Sequence, residues 1–200
     1  MKRIIVAAVL IASLNGSQAQ EAVSRDEALK YAFGACLDLK QMLQTPIATD
    51  PDVKRPVVIR DGDYGGMVLP ESKLTLAGLD QGGKEVVPIG QLWLHKLAPL
   101  VDGHVVPAAQ LAMVTVRLPE GEATVPVLAL GIQRTDNGVE LLVYGKGKEP
   151  VVRVPAKPIS AKQENGIEIS SDRRDDSGVI TLKILGKYQA SFSVTDPELY

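Results

Sequence analysis

From Val57 onward no segment of the chain carries a long helical period, and short strand-like runs follow one another with Gly, Pro, Asn or Asp between them. In "ITLKI", Ile180, Leu182 and Ile184 alternate with Thr181 and Lys183; in "YQASFSV", Tyr188, Ala190, Phe192 and Val194 alternate with small or polar residues. A period of two gives each strand one dry face and one wet face, which restricts the chain to half-buried antiparallel sheet. Gly186-Lys187 between these two runs fits a two-residue turn with Gly at the first central position. Asp136-Asn137-Gly138 joins "LALGIQR" to "VELLVYG", and Asp102-Gly103 joins "LAPLV" to "HVVP". The expected fold is mainly β: an antiparallel β-sandwich or partly open barrel with one N-terminal amphipathic α-helix.

That helix is marked by Ser24 and Glu27 of "SRDE", a capping box, followed by Leu29, Ala32, Phe33, Cys36, Leu39 and Leu43 at helical spacing. Cys36 falls on this apolar stripe and reads as a small core residue; one cysteine forms no internal disulfide. Residues 20–44 are therefore assigned to the helix, and 45–56, broken by Pro46, Pro51 and Pro56, to a linker. Residues 57–200 form the β domain. A sub-boundary falls near 155–166, "PAKPISAKQENG", but the few short strands after it are too little to hold a core alone.

The start of the chain sets the expected compartment. Lys2 and Arg3 precede an apolar run from Ile4 to Leu14, and Ser17 and Ala19 stand at −3 and −1 of a cleavage site, so residues 1–19 read as a secretory signal peptide. A lipoprotein reading ending at Cys36 fails because "EAVSRDEALKYA" is charged. Removal of Lys2 and Arg3 leaves 20 Lys+Arg against 24 Asp+Glu, a weakly acidic balance that disfavours nucleic acid as a partner. No second segment is apolar enough to cross a bilayer, and Pro197 and Glu198 in "TDPELY" spoil the terminal strand of a membrane barrel. The expected location is secreted or periplasmic.

One pattern recurs three times: "LPESKLTL" (69–76), "VPIGQLWL" (87–94) and "VPAAQLAM" (106–113). Proline cannot donate to a ladder, so each copy reads as a bend followed by a strand start, a local solution reused rather than a true repeat module.

Candidate chemistry is thin. "RDGDYGG" places Asp61 and Asp63 at the first and third positions of a calcium loop, but Gly65 and Ser72 stand where further ligands belong, and a solvated turn is the favoured reading. "SSDRRDDSG" (170–178) reads as an internally paired loop. The two histidines, His95 and His104, accompany no nucleophile elbow or zinc spacing, and "GKGKEP" lacks the residues of a phosphate loop. If "QLWLHKL" is a strand, Leu92 and Leu94 point one way while Gln91, Trp93 and His95 point the other, so the single Trp shares a face with polar groups as in a binding platform. A covering helix or second sheet would make Trp93 core instead, and that is the favoured alternative. The expected function is a secreted, non-catalytic binding or envelope-associated module recognising a protein or glycan, with no cofactor. The rivals are a secreted hydrolase using His95 or His104 with a carboxylate such as Asp61 or Asp102, and a calcium-stabilised module on Asp61 and Asp63.

Overall fold

The alternation read from the sequence resolves, in a computed structural model describing residues 21–36, 46–118, 121–174 and 177–199, into a mainly β architecture of two antiparallel sheets. They are not closed into a barrel. In chain order the strands are β1 (Glu21–Ala22), β2 (Val57–Asp61), β3 (Tyr64–Pro70), β4 (Val87–His95), β5 (Ala98–Val101), β6 (His104–Val105), β7 (Ala112–Leu118), β8 (Gly121–Thr135) and β9 (Gly138–Tyr144). The remainder are β10 (Pro150–Pro155), β11 (Lys157–Pro158), β12 (Ile167–Arg174), β13 (Ser177–Ile184) and β14 (Tyr188–Thr195). The first sheet runs β1-β2-β3-β4-β8-β9-β10, with β7 also on β8; the second runs β12-β13-β14-β5-β6, with β11 on β14. The strands after residue 166 thus form one sheet with the β5–β6 hairpin from mid-chain.

Burial follows the pleat. On β4, Leu92 and Leu94 face the second sheet and meet Ile167, Ile180, Leu182 and Phe192 in one shared core. Burying a side chain of this size stabilises the fold by roughly 1.5–3 kcal/mol. Gly66 on β3 lets the sheets approach, because a Cβ there would lie 3.0 Å from Ile169 Cδ1. The opposite face of the first sheet carries Val58, Met67, Leu69, Trp93 and Val127 and is also covered. Its cover is Ala28, Tyr31 and Ala32 of helix α1 (Arg25–Cys36) with Val114, Val116 and Val125 of the β7–β8 hairpin. The Glu27 backbone N–H donates to Ser24 Oγ (3.4 Å), so the helix starts at its capping box. Its expected end near Leu43, the Cys36 side chain and the leader at 1–19 lie outside the described residues.

Two local expectations are corrected. The β13–β14 turn has three residues, Leu185-Gly186-Lys187, with Leu185 and Gly186 both at positive φ and the Lys187 N–H donating to Ile184 O (3.0 Å). Gly186 is therefore the second left-handed position rather than the first. The three Pro-containing copies adopt three different structures. In the first, Pro70 ends β3 and Thr75 caps helix α2 (Leu76–Gln81) by accepting the Gly78 N–H (3.1 Å), so no strand starts there. The second bulges between Pro88 and Gly90, and the third passes through a 3₁₀ turn at Ala108–Gln110 before β7. Local capping and pairing decide each copy, so the recurrence is not one reused bend.

Candidate functional site

The first sheet divides along β8. Residues 127–132 pair with β4, while Gly121–Val127 pair with β7 and 129–135 with β9. Pairing with β4 stops at Val127, beside Pro126, which has no N–H to give a ladder. Past that point β8 and β4 part company. The gap between them, roofed by α1, is a cavity of about 340 Å³.

Its wall is apolar: Tyr31 from α1, Val58 and Met67 from β2 and β3, Trp93 from β4, and Val116 and Val125 from the hairpin. Its rim is charged and polar. Asp63 sits 3.5 Å from the Lys96 ammonium, Glu122 sits 3.3 Å from Arg117, and Arg60 lies over the Tyr31 ring at 5.9 Å and 3.7 Å from Glu27. These partners are largely exposed, so each pair adds little to stability; together they leave the mouth close to neutral. Tyr64 stands at the rim with its O–H donated to Asp196 (2.9 Å), and the accepting carboxylate holds the phenol above its ordinary pKa.

The expected platform residues do share one face, as the period of β4 dictates, yet they do not form an open surface. Trp93 is 4% exposed, because α1 and the hairpin lie over it, and Gln91 is 3% exposed. Their polar atoms are satisfied internally: the Trp93 indole N–H donates to Gln91 Oε1 (3.3 Å), and Gln91 Nε2 donates to Thr49 Oγ1 (2.8 Å). Trp93 is a wall of the cavity rather than an exposed sugar-stacking ring, and His95, half-buried at the end of β4, lines the same space.

The other candidate residues are dispersed. Asp61 and Asp63 flank the turn at Gly62 (φ 59°) and part: Asp63 lines the cavity beside Trp93, Asp61 a recess of about 100 Å³ with Asp172 and Asp196. Among the described residues, no group of three or more His, Cys, Asp or Glu side chains gathers where a metal ion could be held. A hard cation needs more oxygens than two diverging carboxylates supply. His104 is exposed on the β5–β6 hairpin beside Asp102, in the other sheet from His95. His95 shares its cavity with the carboxylates of Asp63 and Glu122, while Asp61 and Asp102, the carboxylates expected to partner a histidine, do not line it. Sequence reasoning did not find Tyr31, Met67, Val116 and Val125; alternation marks each as apolar, but no local signal says that helix, sheet and hairpin meet around an opening.

Compared with protein-family models, with curated proteins and with solved structures, the chain matches none. No helix among the described residues is long and apolar enough to cross a membrane. Function has to be argued from the cavity itself.

Proposed function

We propose that this chain is an exported, non-catalytic binding module of sandwich-like build that takes an apolar group of a protein partner into the cavity beneath α1. One observation carries the reading: about 340 Å³ of open space stands against Trp93, Met67, Val58, Val116 and Val125. Cores pack with few voids larger than one water, whose share of liquid volume is about 30 Å³. An apolar opening some tenfold larger, within the ~300–1,000 Å³ range of ligand sites, is what a receptor for an apolar group requires. Export is supported by the basic–apolar–small pattern of residues 1–19. A protein partner is favoured over a glycan because sugar stacking needs an accessible ring face, and Trp93 presents almost none.

The test uses the protein recovered after export and the dye anilinonaphthalene sulfonate, whose absorption overlaps tryptophan emission. Saturable one-to-one binding with quenching of Trp93 is expected, lost in Ala123→Trp, which fills the mouth from a half-buried position while the far-ultraviolet spectrum stays unchanged. Dye binding that survives this substitution, or no binding, would sink the proposal.

A further inference from the structure

We infer that the cavity receives an extended peptide, added as a strand along the open edge of β8, with alternate apolar side chains entering the space beside Trp93. The inference rests on the cavity being the binding site and goes further by naming the partner's conformation. Its basis is the backbone rather than the apolar wall. Among the described residues, Gly121–Pro126 of β8 pairs with β7 on one edge only; the edge toward β4 carries no ladder, since β4 pairs with β8 over 127–132 alone.

This stretch of β8 borders the cavity. Gly121, Glu122, Ala123 and Val125 of β8 line it, as do Leu94 and His95 at the end of β4. The last β4–β8 pair is Trp93 with Val127, and beyond it the continuations of both strands border the cavity, so the unpaired stretch of β8 lies along it. The approach is open: Gly121–Glu122 and Thr124 are exposed, and a Cβ added at Gly121 would meet nothing within 4 Å. An unpaired edge templates another strand, with main-chain hydrogen bonds giving affinity and pockets for alternate side chains giving selection. Rim charges arranged as opposite pairs (Asp63 with Lys96, Glu122 with Arg117) select neither an acidic nor a basic peptide. The expected partner is a neutral segment alternating apolar and small polar residues.

The test is selection of displayed random octapeptides on the exported protein, then titration of the enriched peptide, made synthetically, against Trp93 emission. The enriched sequences should alternate apolar and polar positions. Backbone N-methylation at every second residue removes the N–H groups facing β8 and should weaken binding roughly tenfold or more, while methylation of the intervening residues does not. Equal tolerance of both methylation sets overturns the strand-addition inference, as does binding unchanged in Ala123→Trp. If the dye binds in the cavity but no peptide is enriched, the inference fails and the broader binding role stands; if neither binds, both fall.

Discussion

Replacing Glu71 by Gln should make the protein more stable at neutral pH, because the native site is built for a neutral group. Glu71 follows β3 and meets the segment before β2: its Oε1 accepts the Asp50 backbone N–H at 2.6 Å, and Pro51 bridges to it. Its Oε2 is buried and has no hydrogen-bond partner among the described residues. The Asp50 carboxylate stands nearby, held by the Ser72 hydroxyl at 2.7 Å. Burial raises the Glu71 pKa, the Asp50 N–H opposes the rise, and the Asp50 charge adds to it. The folded state then binds this proton more tightly than the unfolded chain does. Stability linked to Glu71 is accordingly full below the ordinary carboxylate pKa and is lost as pH rises through the raised folded value. Glutamine keeps an acceptor for the Asp50 N–H and offers an NH₂ to the Asp50 carboxylate. An unsatisfied buried polar atom costs about 1–3 kcal/mol; taking the lower part for this half-buried side chain, Glu71→Gln should add about 1–2 kcal/mol at pH 7. At this chain length that is roughly 2–8 °C in melting temperature. Thermal unfolding of both proteins at pH 7 and pH 3 provides the assay, with the gain expected at pH 7 and largely gone at pH 3. A destabilised variant at pH 7, or the same gain at both pH values, would refute the reasoning.

Two further substitutions probe the β4 framework under the cavity. Gly90 has φ 148°, and a Cβ there would run into the Leu69 carbonyl oxygen, so Gly90→Ala should cost about 3 kcal/mol or more by denaturant unfolding, against about 1 kcal/mol for an ordinary strand substitution. Gln91→Met keeps the side-chain length but strips the Trp93 indole N–H of its acceptor and Thr49 of its donor. A loss of about 1–3 kcal/mol and a changed Trp93 emission maximum are expected; an unchanged spectrum would mean that the Gln91 contact does not set the indole's environment.

The parts of this fold that were legible in the sequence are those fixed by neighbours along the chain. Ile180, Leu182 and Ile184 announce one face of a strand, Ser24 announces a helix start, and Asp102-Gly103 announces a turn whose two residues do take positive φ, 50° and 78°. What eluded sequence reasoning depends on partners distant in the chain. Nothing local in "LAPLV" says that β5 leaves the first sheet to pair with β14, nor that a strand as long as β8 shares one edge between β7 and β9. Trp93 shows the boundary sharply. Alternation correctly sets it opposite Leu92 and Leu94, but whether that face is wet depends on Ala28 and Tyr31, some sixty residues earlier, and on Val114 and Val125 later in the chain. The cavity is the extreme case, because it exists only where three separately encoded elements fail to close on one another.

The claim that this space is a receptor for a strand is tested most directly by amide hydrogen exchange of the exported protein, with and without the peptide enriched from the octapeptide selection. Bound peptide should slow exchange of the amides in Gly121–Val125 that face β4, leaving those of the β13–β14 pairing in the second sheet unchanged. Protection appearing elsewhere, or no change along β8 while the peptide is bound, would contradict the claim.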